Sequence, residues 1–145
     1  MPRLDPERFA AWRSLNLAHA VVRRQLEVAL AERDLPLPWF EILMCLQEAH
    51  GRLRALELAE ALMVNKSSLT RQLDRLEEAG LVRRDKGGDD DGRSVVVVLT
   101  REGRNRFRQG FSRYQSVVKR AFAAHVTDTD LVAVQRVASK VLYRD

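Results

Sequence analysis

The spacing of the apolar residues changes from a helical to a strand pattern halfway along the chain, and few folds accommodate that change. Leu69, Leu73 and Leu76 recur at intervals of four and three residues, which is the pattern of one buried helix face. Asn65 is a favoured N-cap residue, and Gly80 is typical of the position that follows a helix C-terminus. The pattern therefore predicts a helix that begins after Asn65 and ends before Gly80.

Two short β-strand patterns, LVRRDK and RSVVVVL, follow that helix and flank the segment GGDDDG. Glycine and aspartate favour tight turns, so this segment predicts a β-hairpin. The segment ALELAEALM, which precedes the polar helix, predicts a short helix around Ala55–Leu62. Two short helices that are joined by a tight turn and followed by a hairpin are typical of a winged helix-turn-helix.

The rest of the chain also predicts helices. A long first helix opens at Pro6, and a second is predicted over roughly residues 39–49. Thr100 is the predicted cap of another long helix, and Thr127 with Asp130 resembles a capping box for the last one. The predicted fold class is therefore mainly α with a small β-hairpin wing, a winged helix-turn-helix with long N- and C-terminal helices. Those terminal helices are amphipathic and have no obvious partner within so small a core.

The composition agrees with one cytoplasmic domain and an anionic partner. The 145-residue chain has a net charge of +5, which favours nucleic acid, although an arginine-rich genome also produces a basic excess. The sequence lacks the roughly 18 consecutive apolar residues of a membrane span, and its N-terminus lacks an apolar signal-peptide core. The single Cys45 excludes an internal disulfide, so we expect a cytoplasmic protein.

The polar helix has the residue types that contact DNA. In a helix-turn-helix, the N-terminal residues of the second helix reach base edges in the major groove. An arginine such as Arg71 pairs with guanine, and a glutamine such as Gln72 usually pairs with adenine. The alternative interpretation is a solvated face of an amphipathic helix. The predicted DNA-binding residues of this helix are Asn65, Lys66, Ser67, Ser68, Thr70, Arg71, Gln72 and Arg75.

From about Asp34 to Leu142 the chain resembles the multiple-antibiotic-resistance regulator (MarR) family of transcription factors. The resemblance is carried by LELAEAL, NKSSLTRQLDRLEEAGLVRR, DDDGRSVVVVLTREG and the two closing helices. It implies a homodimeric winged helix-turn-helix regulator, most often a repressor that a small molecule or an oxidant releases from double-stranded DNA. It also implies the organisation of a single domain over residues 1–145, with dimerisation helices at 1–34 and 101–145 and a DNA-binding lobe at 38–99.

The resemblance assigns a role to the hairpin as well. The family carries an Asp-x-Arg-[Ser/Ala/Thr] motif in its wing, which Asp91, Arg93 and Ser94 match. It implies that Arg93 enters the minor groove, where narrow A·T-rich segments attract a guanidinium group, and that Asp91 positions it. Asp89 and Asp90 depart from the usual wing tip and should repel phosphate.

The charges of the predicted DNA-binding region cancel. Residues 64–94 contain seven basic and seven acidic side chains, whereas residues 101–120 contain seven basic residues and one acid, Glu102. We therefore expect modest DNA affinity that depends strongly on salt. Arg54 and Leu56 also depart from the family, which usually has Thr or Ser as the helix cap and a polar residue two positions later.

A small-molecule effector of unknown identity is expected, since family effectors tend to bind near the junction of the dimer stem and the DNA-binding lobe. His19, Trp39 and Glu41 are the candidate pocket residues. Cys45 suggests a redox-responsive regulator as an alternative, but a cysteine between Met44 and Leu46 is more often a buried small hydrophobic residue.

Other chemistries find little support in the sequence. The three histidines are too scattered for a zinc motif, so neither a metal nor a cofactor is predicted. The sequence has no glycine-rich phosphate loop and no nucleophile elbow, so an enzyme is not expected. The remaining alternative is a winged helix that binds a basic protein through Asp89, Asp90 and Asp91.

Overall fold

The structure is a computed structural model that describes residues 3–87 and 94–143. The helices and strands follow the predicted order, with one additional strand before the third helix. In chain order they are α1 (Pro6–Ala31), α2 (Leu37–Glu48), β1 (Arg52–Arg54), α3 (Ala55–Leu62), α4 (Lys66–Glu78), β2 (Val82–Lys86), β3 (Val95–Leu99), α5 (Arg101–Ala121), a short 3₁₀ helix (Ala123–His125) and α6 (Asp128–Leu142). The predicted fold class, mainly helical with a hairpin, is confirmed.

The three strands form one antiparallel sheet in the order β1-β3-β2. β2 and β3 are the predicted hairpin strands, and their pairing extends to a hydrogen bond from the Gly87 N–H to the Ser94 carbonyl (2.7 Å). β1 was not predicted, because the segment Arg52–Arg54 has one apolar residue between two arginines. Its pairing with β3, with Leu53 opposite Val97, makes it a strand.

The chain divides into two compact units. The first contains the chain up to Leu26 and the chain from Gln115 onward, and the second runs from Glu27 to Tyr114. The second unit contains the helix-turn-helix, the sheet and most of the buried side chains. Phe40 is fully buried there, and its ring stacks on Phe107 at a centroid distance of 5.6 Å and on Tyr114 at 4.8 Å.

Two glycines in α5 allow this close packing. A Cβ atom on Gly103 would lie 2.1 Å from the Leu81 carbonyl oxygen, and one on Gly110 would lie 3.0 Å from the Phe40 ring. Real Cβ atoms do not approach a backbone oxygen as closely as 2.1 Å, so α5 needs glycine at position 103, whereas a Cβ at position 110 would require the Phe40 ring to shift.

The first unit leaves much apolar surface exposed. Among its described residues only Leu26 and Val117 are buried, and α6 has no buried residue along its whole length. Large apolar side chains point to solvent from both α1 and α6. They include Phe9, Trp12, Leu15, Leu17 and Val21 on α1, and Leu131, Val134, Val137, Val141 and Leu142 on α6.

The predicted caps of the last two helices are confirmed. The Thr100 hydroxyl accepts a hydrogen bond from the Gly103 N–H (3.0 Å) and donates one to the Gly80 carbonyl (2.7 Å). Thr127 and Asp130 form a reciprocal capping box at the start of α6. Each cap satisfies backbone N–H groups that a helix N-terminus leaves without partners, which explains where both helices begin.

Candidate nucleic-acid interface

The N-terminus of α4 is capped as predicted. The Asn65 carboxamide oxygen accepts a hydrogen bond from the Ser68 N–H (2.7 Å). Leu69, Leu73 and Leu76 are buried in the second unit, so α4 presents its opposite side to solvent. The free N–H groups and the positive dipole end of α4 also lie on this exposed end, where they favour an anion such as phosphate.

Four of the predicted DNA-binding side chains lie together on that exposed side. Lys66, Ser67, Thr70 and Arg71 line an open depression of about 560 Å³. The Thr70 hydroxyl donates to the Lys66 carbonyl (2.9 Å), so only its lone pairs remain for a ligand. Arg71 lies 3.5 Å from the Ser68 hydroxyl and keeps most of its N–H donors for another partner. The depression therefore combines two cations with two hydroxyl groups.

Gln72 and Arg75 occupy different surroundings on the same helix. The Gln72 side chain is half-buried, and its amide oxygen accepts a hydrogen bond from the Trp39 indole N–H (3.0 Å). Arg75 is exposed and has no ion pair within the described part of the chain. The structure therefore does not bring Gln72 into the depression, and it leaves Arg75 as a further cation beside it.

The other end of α4 is tied to β2 through Arg84. The Glu77 carboxylate accepts hydrogen bonds from the Arg84 backbone N–H (2.7 Å) and from its guanidinium (3.0 Å). The same guanidinium lies 2.7 Å from the Asp74 carboxylate. The sequence indicated only that Asp74, Glu77 and Arg84 are charged, and it did not indicate that they pair with each other. The one available signal was the Gly80 turn, which brings the end of the helix next to the strand that follows.

This arrangement lowers the pKa of Glu77. The Arg84 backbone hydrogen bond, and then its side-chain hydrogen bonds, hold the pKa of Glu77 below its ordinary value of 4.5. Because the folded state has the lower pKa, the contribution of Glu77 to the free energy of unfolding is present above about pH 4.5. It is lost as the pH falls through the folded-state pKa.

We expect Glu77→Gln to lower the free energy of unfolding at neutral pH by about 1 kcal/mol, a value reduced for solvent screening of a partly exposed carboxylate. The gap between wild type and variant should close as the pH falls below 4.5, which urea titrations at several pH values would measure. Glu78→Gln is the matched control, because Glu78 is exposed and its side chain has no hydrogen bond or ion pair with the residues that the structure describes. A gap that stays constant with pH would contradict the assignment.

The positive and negative charges of residues 64–94 are equal in number, but the ion pairs show that they are unevenly distributed. Arg84 compensates Asp74 and Glu77 at the C-terminal end of α4, and Arg83 compensates Asp85 within β2 (2.8 Å). The cations at the N-terminal half of α4 have no acid paired with them among the described residues. The described part of this region is therefore polarised, with its uncompensated positive charge on the exposed start of α4.

Part of the arginine excess in α5 is structural. The Arg106 guanidinium donates to the carbonyl oxygens of Arg33 (3.1 Å) and Asp34 (3.0 Å), which follow the C-terminus of α1. Arg113 forms an ion pair with Glu32. Arg106 thus pairs carbonyl groups at the end of α1, and Arg113 pairs a carboxylate beside them, so both arginines stabilise the fold.

A second cavity lies between α3, α4 and the base of the hairpin, with a volume of about 440 Å³. Arg54, Leu56, Thr70 and Ser94 are among its lining residues. Leu56 is 66% exposed, and Arg54 precedes α3 without forming a side-chain cap. Ser94 is thus placed near α4, whereas the predicted wing residues Asp89, Asp90, Asp91 and Arg93 lie outside the described residues.

The predicted effector residues lie in both units. His19 belongs to the first unit, and Trp39 and Glu41 belong to α2 in the second. Cys45 is half-buried in α2, and burial, followed by the nearby Glu48 carboxylate, raises the pKa of its thiol. A raised pKa lowers the thiolate fraction, which favours the structural interpretation of this cysteine over the redox one.

Within residues 3–87 and 94–143, no three or more histidine, cysteine or acidic side chains are grouped so as to hold a metal ion. No helix in the same ranges is both long and apolar enough to cross a membrane.

The solved structure of AbsC, a MarR family transcriptional regulator from Streptomyces coelicolor, is similar to this chain along nearly its whole length. The TM-score is 0.87 and the sequences are 31% identical, with 97% of this chain and 95% of AbsC covered. The chain belongs to the MarR family. The MarR family model itself matches residues 35–95, which include α2, the helix-turn-helix and the start of β3.

Two further relatives are informative. Sco3205 of Streptomyces coelicolor, a MarR family transcriptional regulator that was solved in complex with DNA, has a TM-score of 0.85 and 29% identity, with 100% of this chain and 94% of that chain covered. The regulator PecS of Dickeya dadantii is 36% identical over 104 residues, which are 70% of this chain and 62% of PecS. The chain thus spans less than two thirds of this curated relative. The MarR family is one of transcriptional regulators.

Proposed function

We propose that this chain is a transcriptional regulator that binds double-stranded DNA through α4. The exposed cluster of Lys66, Ser67, Thr70 and Arg71 carries this proposal, because it offers cations and hydrogen-bonding groups at an unobstructed helix N-terminus. The similarity to Sco3205, which was solved with DNA, supports it. Arg71 is the side chain best suited to guanine, and Lys66 and Arg75 are suited to phosphate. The proposed role is regulatory rather than enzymatic. A protein with this role would act on the chromosome, in the cytoplasm of a bacterium.

The proposed binding form is a homodimer. α1 and α6 expose the apolar residues named above, and exposed apolar surface of this extent on a small protein marks an interaction site. A two-fold dimer would present two copies of α4 to half-sites about one helical turn, roughly 34 Å, apart. The operator would then be pseudo-palindromic, as the family resemblance also implies.

The wing supplies a second proposed contact. In the family the wing arginine enters the minor groove, and Arg93 with its positioning partner Asp91 matches that motif. The pairing of β2 with β3 supports this contact, because β2 precedes the segment that contains Asp91 and Arg93 and β3 follows it. We also propose that a small-molecule effector releases the protein from DNA, and the candidate residues for contacting it are Trp39 and Glu41 of the second unit, or His19 of the first. An effector response that is unchanged by substitution of each of these residues would contradict their proposed role.

We expect Arg71→Ala to weaken binding to a duplex from the protein's own upstream region by about 1–3 kcal/mol, because Arg71 has donors free for DNA. Fluorescence anisotropy between about 50 and 200 mM salt should also show that wild-type affinity falls steeply with salt. Arg83→Ala is the matched control, since Asp85 already compensates the Arg83 charge. Equal losses in the two variants, or wild-type binding that salt does not affect, would contradict the proposal.

A further inference from the structure

Trp39 and Gln72 form a hydrogen bond between the first turn of α2 and the middle of α4. The distance from the Trp39 Nε1 to the Gln72 Oε1 is 3.0 Å, the contact is part-buried, and the two residues are 33 positions apart in sequence. Long-range contacts between side chains hold α4 against the rest of the second unit, and this one involves a residue that the sequence placed on the DNA-reading helix.

The chemistry of the indole determines how the Gln72 amide is oriented. An indole N–H is only a donor, so the amide atom that faces it must be the oxygen. The Gln72 NH₂ group then points away from Trp39 and remains available. A glutamine held in this way can donate hydrogen bonds to another partner, while its oxygen is directed at Trp39 and is turned away from that partner.

This orientation changes which base Gln72 can recognise. A free glutamine recognises adenine because the NH₂ donates to N7 while the oxygen accepts from the adenine amino group. With its oxygen directed at Trp39, Gln72 presents only its NH₂ group, the donor half of that pair, to a base. Guanine presents two acceptors in the major groove, N7 and O6, and therefore suits a donor-only side chain.

We propose that Trp39 is a positioning residue for DNA recognition: by holding the Gln72 amide oxygen, it makes Gln72 favour guanine over adenine at the base pair it faces. This inference rests on the proposed DNA-binding function and gives it one specific base preference. Trp39 itself contacts no DNA in this mechanism. It acts only through the orientation of Gln72.

Trp39→Phe tests the proposal, because phenylalanine keeps an aromatic ring but lacks the N–H donor. The probe is a pool of duplexes that is randomised over roughly two helical turns, bound by full-length protein and then sequenced. We expect wild type to select guanine at one position in each half-site. Trp39→Phe should shift that position toward adenine, with a change of roughly fivefold or more in the ratio of the two bases. The other positions should keep their preferences.

A second variant keeps the test independent of any folding defect at position 39. Gln72→Met retains an unbranched side chain without the amide, and it should lose discrimination at the same base pair only. Gln47→Met on the exposed end of α2 is the matched control and should leave the whole selection profile unchanged. Far-UV circular dichroism, which measures helical content, would verify that each variant is folded.

The outcomes separate this inference from the proposed function. If wild type selects no sequence, DNA recognition itself fails. If wild type selects a sequence but Trp39→Phe or Gln72→Met leaves the profile unchanged, the positioning role is overturned. A uniform loss of affinity at every position in these variants would also overturn it, since that is the effect of a contact that only stabilises the fold.

Discussion

Val137→Asp is expected to convert the protein into a monomer and to abolish binding to a duplex that carries two half-sites. Val137 is 54% exposed in the single chain and shares one face of α6 with Val134 and Val141, as residues three and four positions apart do. In a two-fold dimer each copy would bury an unpaired carboxylate, at a cost of several kcal/mol. The dissociation constant of the dimer should rise on the order of 1,000-fold.

Sedimentation velocity over a range of protein concentrations would measure this shift. Ser139→Asp adds the same charge to the opposite face of α6 and serves as the matched control, which should remain dimeric. Anisotropy with single and paired half-sites would then show whether the monomer retains only weak, single-site binding. A Val137→Asp protein that sediments as a dimer would place the subunit interface somewhere other than α6.

The second large effect is expected from Phe40→Ala. Phe40 is fully buried and stacks on both Phe107 and Tyr114, so the substitution leaves a cavity at the centre of the second unit. Such truncations cost about 3–5 kcal/mol. Because α2 and α5 both line this cavity through their aromatic rings, the whole second unit should become less stable.

Urea unfolding at one fixed protein concentration would measure the loss, since the stability of the proposed dimer would depend on concentration. Leu56→Ala removes apolar atoms from a side chain that is 66% exposed and should change the free energy of unfolding by no more than about 0.5 kcal/mol. Equal effects of the two substitutions would contradict the assignment of Phe40 to the core.

Local signals in the sequence were sufficient for most helices. The leucine spacing of α4, its cap at Asn65 and the capping box at Thr127 depend on residues within one or two turns of each other. Interactions of that range can be recognised from the sequence alone. Each of these three features was predicted and is confirmed. The hairpin was predictable for the same reason, because its two strands are adjacent in the chain.

Other features depend on residues that are distant in sequence. β1 is a strand because β3 lies beside it, and nothing in the three residues Arg52–Arg54 indicates that neighbour. Trp39 was a candidate effector residue and Gln72 a candidate reader of adenine. No local pattern could show that these two side chains bond to each other across 33 positions.

The sequence by itself determined the order of the helices and the hairpin, the family resemblance, and the helix that carries the candidate DNA-binding residues. Only the tertiary structure decided how those residues are presented to a partner. It leaves Lys66, Ser67, Thr70 and Arg71 together at the surface, joins Gln72 to Trp39, and pairs Asp74 and Glu77 with Arg84. The physical reason is that periodicity and capping act along the chain, whereas ion pairs, side-chain hydrogen bonds and burial join segments that only folding brings together.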